Sequence, residues 1–451
     1  MIPLLLALSL GMPQGAPAAS AAPPAAPAAN ATAAGSTADL VPPVPVLSGS
    51  PLTLDEALDL ARRNPQLAQA QAQALQAGGQ VAIARSGFLP SGSLGGRAGW
   101  SSTDLGAAPT GALYAAYGAT LTLNQTIWDF GRTLGSYNAA RDQERAAQAG
   151  VEASWTDVEL GVRTAYYGVL ATEALVAVAD QTVEANLRQL ELARAQFEVG
   201  TRPRFDVTTA DVNVQQSRIS QIQARDAVTL ARIALSQAVG VDVARRPLVV
   251  PTLPHEIDLE VSRLMDQALA GRPDLRAALF SISASEQGLS SAKSAWYPIL
   301  GVGLNYAWNR SEYPQVGGLP APDANQWSIL GTLTWPFLNG GADLGRVDVQ
   351  RGTLAASTAS RDALLLQIRT DVEKAVTGVV QARARREVSR VLVTQARENL
   401  DLAEGRYQAG LGTIIDVTTS QTSYTSAQAQ EVKAAFDLAT AWAQLQNAVG
   451  K

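Results

Sequence analysis

Apolar residues recur three and four positions apart along two long stretches of the chain, Arg132 to Val199 and Ala342 to Ala409. This period places them on one face of an α-helix. Neither stretch contains a proline, and each covers 68 residues. A continuous helix of that length extends for about 100 Å, which is typical of a coiled coil or a helical tube. The pattern therefore predicts two very long helices.

Four other stretches have the same period but are about half as long. Two of them placed end to end match one long helix, which predicts full-length helices packed beside stacked half-length pairs. Gly200 and Gly410 follow the long helices and predict turns that fold each one back on a shorter helix. Asp206 and Thr413, just after these turns, are predicted N-caps. The four shorter helices are Leu54 to Ser86, Phe205 to Val239, Leu259 to Ser294 and Ile414 to Val449.

Between the helices the apolar period shortens to two residues. From Val302 to Trp308, apolar residues alternate with glycine, asparagine and alanine, which predicts a strand with one apolar and one polar face. Such faces suit bilayer-crossing strands of about 9–11 residues, although a single pair also fits an ordinary soluble hairpin. The pair occurs twice, which favours the membrane. The predicted strands are 91–101, 114–128, 299–310 and 326–337, with polar loops near 103–111 and 311–325.

The chain also repeats itself at a constant distance. Gly200 matches Gly410 and Asp206 matches Asp416, and both pairs are 210 positions apart. Two nearly gap-free copies indicate one structural unit built twice, with pseudo-twofold symmetry inside the protomer. The predicted units are a first repeat at 52–241, an equatorial linker at 242–258 and a second repeat at 259–451.

Composition excludes several classes of function. The chain has no cysteine and a single histidine, His255, so thiol chemistry, disulfides and cysteine–histidine zinc sites are excluded. A net charge of −5 argues against a nucleic-acid partner. There is no glycine-rich phosphate loop, no carboxylate cluster and no nucleophile–base–acid set. We therefore expect no enzymatic activity, no cofactor and no metal site.

The N-terminal residues 1–20 have an apolar core followed by small residues and predict a secretory signal peptide, atypical in lacking a basic start. The alternative to a signal peptide is a disordered apolar tail. Residues 21–51 are rich in alanine and proline and predict an extended linker. After the leader no apolar run is long enough for a transmembrane helix, so a membrane could be crossed only by strands closed into a barrel.

Four strands cannot close a membrane barrel, because about eight strands are the minimum. The protomer must therefore associate with other copies. Three copies would supply 12 strands and a 12-helix tube, enough to enclose a lumen.

In the order and pairing of its motifs the chain resembles the TolC-type outer-membrane efflux proteins, from about Leu52 to Lys451. The most specific residues are the two hairpin-tip motifs, which start at Phe197 and Tyr407 and continue through glycine to Asp-Val. Supporting motifs are the strand-to-helix junctions Trp128-Asp-Phe-Gly-Arg and Phe337-Leu-Asn-Gly-Gly and the turns Asn64-Pro and Arg272-Pro.

The resemblance implies a mainly α fold with a membrane β-barrel: a homotrimer with a 12-stranded barrel in outer-membrane lipid and a long α-helical tunnel in the periplasm. It further implies that the tunnel docks onto a periplasmic adaptor tied to an inner-membrane pump. Such an assembly exports drugs, metals or proteins. The pump selects the cargo, so the sequence of the duct does not reveal it.

The resemblance also implies roles for individual residues. The adaptor-contact tips would be Val199, Gly200, Thr201, Ala409, Gly410 and Leu411. Tyr407 and Asp206 match two of three residues that hold the entrance shut; Gly412 stands at the arginine position, and Arg202 occupies the equivalent place on the first hairpin. Asp416 matches an acidic ring whose second position is Thr419 here. Three such carboxylates would attract cations and raise one another's pKa. An N-cap role for Asp416 is the alternative, and it does not exclude a place in the ring.

Two other classes of protein fit part of this pattern. A soluble periplasmic coiled-coil scaffold would explain the helices but not the two apolar-faced hairpins at equivalent positions. A periplasmic adaptor would need β-rich domains outside its helical hairpin, and the sequence has no room for them.

Overall fold

The structure is a computed structural model that describes residues 50–102, 113–251, 259–312 and 324–451. The predicted signal peptide, nearly all of the alanine-proline linker, most of both strand-connecting loops and His255 lie outside the described residues. In chain order the elements are α1 Leu54–Ala61, α2 Pro65–Ser86, β1 Ser91–Ser102, β2 Leu113–Trp128, α3 Arg132–Glu198, α4 Arg204–Val239, α5 Val261–Gly271, α6 Pro273–Lys293, β3 Ile299–Glu312, β4 Ala324–Thr334, α7 Ala342–Gln408 and α8 Ile414–Val449. A short 3₁₀ turn, Ser294–Trp296, follows α6.

The two long helices are confirmed, with 67 residues in each of α3 and α7. Both end in the same turn. Gly200 and Gly410 have φ of +74° and +79°, a region that glycine enters without steric cost. The next N–H in each turn donates to a carbonyl five residues back, Thr201 to Gln196 at 3.0 Å and Leu411 to Arg406 at 2.8 Å. A hydrogen bond of this kind after a left-handed glycine is a typical helix C-cap, and in both hairpins it reverses the chain onto the shorter helix.

Two of the four shorter helices differ from the prediction. Single helices were expected at 54–86 and 259–294, and each is split in two, into α1 and α2 and into α5 and α6. The breaks fall at the two proline turns. Pro65 and Pro273 begin α2 and α6 at the first helical position, where a missing N–H costs nothing. Asn64 and Arg272 before them reach equivalent carbonyls at the ends of α4 and α8. Asn64 Nδ2 donates to Ala238 at 2.8 Å, and Arg272 Nη1 donates to Ala448 at 3.3 Å.

One of the two predicted N-caps is wrong. Thr413 caps α8, and its hydroxyl accepts from the Asp416 N–H. Asp206 is not the cap of α4, because Pro203 holds that position with extended backbone and the helix starts at Arg204. Asp206 therefore lies in the first turn of α4, and its carboxylate makes no capping hydrogen bond there. Asp416 is likewise not an N-cap but the third residue of its helix.

The four strands form one antiparallel sheet in the order β1-β2-β3-β4, so the central β2–β3 pair joins the two repeats. Leu94, Leu121, Tyr306 and Trp327 lie in one row across it. Nothing in the described protomer covers this apolar face, where Leu94 is 81% and Trp327 71% exposed. Strand β4 ends at Thr334, three residues earlier than predicted, because Pro336 cannot donate to the ladder.

The buried core lies at the middle of the long helices. One cluster surrounds Tyr166 in α3, and the other surrounds Ile368 in α7. The Tyr166 hydroxyl lies 2.8 Å from the Leu52 carbonyl and accepts from the Val249 N–H at 3.1 Å, which ties the start of the folded chain to the segment between repeats. Within the described ranges, none of the helices is long and apolar enough to cross a membrane.

Candidate functional site

The candidate site is built where the tips of the two helical hairpins meet. The first hairpin is α3 with α4, and the second is α7 with α8. Three side chains converge there: Arg202 and Asp206 from the first hairpin and Tyr407 from the second. We call these three residues the tip cluster. Pro203 fixes the start of α4, and Gly410 the end of α7, so both backbones hold their side chains toward each other.

Tyr407 and Asp206 form the buried part of the tip cluster. The Tyr407 hydroxyl donates to Asp206 Oδ2 at 3.1 Å. Tyr407 is fully buried and Asp206 is 5% exposed. The ring packs with Ala403, Ile414 and Val417. Burial, and then the neighbouring Asp206 carboxylate, raises the pKa of Tyr407 to about 12. The phenol therefore stays protonated and keeps donating at physiological pH.

Arg202 completes the tip cluster from the first hairpin. Its guanidinium carbon lies 4.4 Å from the centroid of the Tyr407 ring, a cation–π contact. Its Nη2 also donates to the Tyr407 carbonyl at 2.8 Å. Gly412, at the position where the resemblance led us to expect an arginine, is buried against the Tyr407 backbone, and a Cβ there would come within 3.1 Å of the Tyr407 nitrogen. The arginine contact is thus made from the opposite hairpin.

Asp416 lies apart from the tip cluster. Its carboxylate accepts from the Thr413 N–H at 3.0 Å and from the Thr413 hydroxyl at 2.9 Å. These two bonds lower the pKa of the exposed Asp416 carboxyl. These hydrogen bonds fix the negative charge of Asp416 at the start of α8, where the helix dipole also favours a negative charge.

The six predicted tip residues are all exposed. Val199 is 73% exposed and Leu411 76%, so an apolar side chain stands beside each glycine turn. The remaining tip residues are Gly200, Thr201, Ala409 and Gly410. The two turns thus present small and apolar groups to whatever covers them.

Sequence reasoning missed two polar contacts that join the hairpins behind the tip cluster. Asn213 Nδ2 donates to Thr418 Oγ1 at 3.0 Å, between α4 and α8. The hydroxyls of Thr182 and Thr425 lie 3.1 Å apart, between α3 and α8. The repeat offset gives no signal for these pairs, since neither joins equivalent residues.

Sequence reasoning also missed a groove of about 590 Å³ between α3, α7 and α8, lined in part by Arg188, Glu404 and Tyr424. In the parts of the chain that the structure describes, no group of three or more His, Cys, Asp or Glu side chains is arranged to hold a metal ion.

Comparison with known proteins points in one direction. The model of the family described as "Outer membrane efflux protein" matches residues 57–241 and 264–451, which is most of the chain. Protein CyaE of Bordetella pertussis is 27% identical over 406 residues, covering 89% of this chain and 84% of that protein. Outer membrane efflux protein BepC of Brucella suis is 24% identical over 331 residues, covering 73% and 71%. The CmeC outer membrane channel of Campylobacter jejuni has the same fold, with a TM-score of 0.78 at 17% identity over 88% of this chain and 85% of that one.

Proposed function

This chain belongs to the outer membrane efflux protein family, and on that premise we propose that three copies of it form the exit duct of a tripartite efflux or type I secretion system. Members of this family are channel or exit-duct proteins of the outer membrane. The duct acts passively, as a conduit and not an enzyme, and the energy for export comes from an inner-membrane pump.

One observation carries the proposal: the sheet is unfinished. Within the described strands, β1 and β4 each have a neighbour on one side only, and both leave an edge of unpaired N–H and C=O groups. Long open edges are rare in proteins because they pair with other chains. In a bilayer each unpaired group would cost several kcal/mol, so edges must be paired. Pairing β4 of one copy with β1 of the next, three times, closes a sheet of 12 strands.

The helices support the same assembly. Helix α4 carries a second apolar stripe, opposite the one that packs on α3. Its residues are spaced seven, three, eight and three positions apart, which keeps them on one face. They are half to two-thirds exposed in one protomer. A neighbouring copy would bury them at about 25 cal/mol per Å² of apolar area. The stripe consists of Val212, Ile219, Ile222, Leu230 and Ile233.

At the far end of the helices, the tip cluster would act as a gate. It joins the two hairpins of one protomer through Tyr407, Asp206 and Arg202. Separating the hairpins would break a hydrogen bond to a carboxylate, worth about 1.5–3 kcal/mol, together with the cation–π contact. A trimer carries three tip clusters. An adaptor that binds the exposed tips around Gly200 and Gly410 could supply that free energy.

The partners follow from this arrangement. Val199 and Leu411 would pack against a periplasmic adaptor, which couples the duct to the pump. Asp416 in each protomer would place negative charge at the entrance and favour cations there. The predicted repeats, linker and signal peptide fit the same scheme, with the sheet in the outer membrane and the helices in the periplasm.

The test is the location and mass of the full-length protein. Membranes are fractionated, the protein is extracted in detergent, and the mass of the complex is measured by light scattering corrected for detergent. We expect a trimer in the outer-membrane fraction. A monomer or dimer in the soluble periplasm would overturn the duct and favour a coiled-coil scaffold.

A further inference from the structure

The polar face of the sheet has one charged residue among the described strands, Arg97 in β1. The other residues that the described strands place on this face are neutral. The row next to Arg97 toward the helices is Gly95, Thr120, Ala307 and Gln326, and the row after it is Ser93, Thr122, Asn305 and Ser328. Among the described strands no carboxylate on this face offsets the charge of Arg97, so the arginine sets the local field there.

The structure holds Arg97 in a defined place. Its side chain crosses β2 above Gly118, and its Nη2 donates to Asn309 Oδ1 on β3 at 2.5 Å. Gly118 leaves the room for this crossing, because a Cβ there would lie 2.7 Å from Arg97 Nε and 2.9 Å from Asn309 Oδ1. Glycine inside a strand often marks such a close approach. The Arg97 side chain is nevertheless exposed.

Arg97 also lies toward one end of the sheet. The strands connect to helices at Ser91 and Trp128 in the first repeat, and at Ile299 and Thr334 in the second. The row that contains Arg97 joins Gly118, Asn309 and Ala324, where Ala324 is the first residue of β4. Arg97 is therefore in the half of the sheet away from the helices, at the opposite end of the protein from Asp416.

We propose that Arg97 sets the charge selectivity of the outer end of the duct, where it favours anions and the carboxylate or phosphate groups of exported molecules. This inference rests on the proposed function, since it places the polar face inside a trimeric lumen. Three Arg97 side chains would then form a cationic ring at the exit, while Asp416 provides an acidic one at the entrance. The lumen of a 12-stranded sheet is wide, so the ring acts through its field and not by direct contact. Its influence reaches about 30 Å at 10 mM salt but only about 10 Å at 100 mM.

The experiment measures reversal potentials of single channels in planar bilayers under a KCl gradient at low ionic strength. The full-length protein is compared with Arg97→Gln, Arg97→Lys and Asn309→Asp, each first checked to be a trimer in detergent. Loss of the charge in Arg97→Gln should raise the potassium-to-chloride permeability ratio by about twofold or more. Asn309→Asp leaves the arginine in place but pairs it with a carboxylate, and should shift the ratio in the same direction. Arg97→Lys keeps the charge and should keep the ratio.

Trimeric channels whose permeability ratio is the same in the original protein, Arg97→Gln and Asn309→Asp would overturn the role of Arg97 while leaving the duct intact. If the unaltered protein forms neither trimers nor channels, the duct itself fails and the inference fails with it. Raising the salt tenfold on both sides should shrink the difference between the variants, because screening shortens the reach of the ring.

Discussion

Asp206 and Asp416 are equivalent residues of the internal repeat, 210 positions apart, and they have different partners. Asp206 is buried and accepts from the Tyr407 hydroxyl of the other hairpin. Asp416 is exposed and accepts twice from Thr413 in its own turn. The difference begins three residues earlier, where Pro203 has no side-chain donor and Thr413 has one. Without a cap to bind, Asp206 is available to the second hairpin.

The neighbouring positions have diverged in the same way. Phe197 is the equivalent of Tyr407 but has no hydroxyl, and Gly412 is the equivalent of Arg202 but has no guanidinium. The tip cluster is therefore divided between the two repeats: the second supplies the ring with the donor hydroxyl, and the first supplies the two charged side chains. Only a contact between the hairpins can use all three residues.

The first prediction concerns the hydroxyl of Tyr407. Tyr407→Phe keeps the packing of the ring and removes the bond to Asp206, which is worth about 1.5–3 kcal/mol in each protomer. Over three protomers this is comparable to the roughly 5.5 kcal/mol that swings a two-state gate from mostly shut to mostly open. We expect a higher single-channel conductance in planar bilayers, and Asp206→Ala should act in the same direction. Phe197→Leu, at the equivalent position, is the control and should leave conductance unchanged. Equal conductance in all four proteins would count against the gate.

A second prediction separates the two contacts of Arg202. The guanidinium touches the ring and the carbonyl of Tyr407 but not its hydroxyl. Arg202→Gln should therefore raise conductance, and its effect on the free energy of opening should add to that of Tyr407→Phe, which keeps both groups. With Tyr407→Ala, which removes the ring, the two effects should not add. The cycle is measured from open probabilities, and full additivity in both pairs would contradict the cation–π contact.

The fold followed from the sequence because its signals are long and repeated. Proline-free apolar periodicity over 68 residues determined α3 and α7 to within one residue, and glycine placed both turns. What failed was local. The cap assignment at Asp206 overlooked Pro203, and β4 was extended past the point where Pro336 ends its ladder. The contact of Arg202 with Tyr407 depends on how two helices are rotated about their axes, and apolar spacing does not determine rotation to the precision of one side chain.

A third prediction concerns Thr413 and the charge of Asp416. The two hydrogen bonds from Thr413 stabilise the ionised carboxylate, so they lower its pKa in the folded protein. The contribution of Asp416 to stability is thus present above the carboxyl pKa of the unfolded chain, and it is lost as pH falls through the lower folded value. Thr413→Ala removes the hydroxyl donor, and the pKa of Asp416 should rise toward its ordinary value.

This shift is measurable in the channel. Cation selectivity at the entrance should persist to lower pH in the unaltered protein than in Thr413→Ala, as read from reversal potentials during an acid titration. Asp416→Ala should reduce cation selectivity at neutral pH, whereas Thr413→Ala should not. Identical titration midpoints in the unaltered protein and Thr413→Ala would show that the cap does not tune this charge.

The last prediction tests which face of the sheet meets lipid. Leu304 and Asn305 are consecutive residues near the middle of β3, so their side chains lie on opposite faces. Leu304 shares its row with Leu123 and Ile329, and Asn305 shares its row with Thr122 and Ser328. If the apolar face meets the hydrocarbon of the bilayer, arginine at Leu304 should destabilise the inserted protein by about 2–4 kcal/mol, whereas arginine in a water-filled lumen costs little. We expect Leu304→Arg to lower the yield of outer-membrane trimer and its resistance to heating in detergent, and Asn305→Arg to leave both nearly unchanged.

The two variants add the same charge one residue apart, so general effects of charge or expression cancel when the two are compared. Equal losses in both would mean that the faces are not distinguished by lipid, and the assignment of the polar face to the lumen would have to be abandoned.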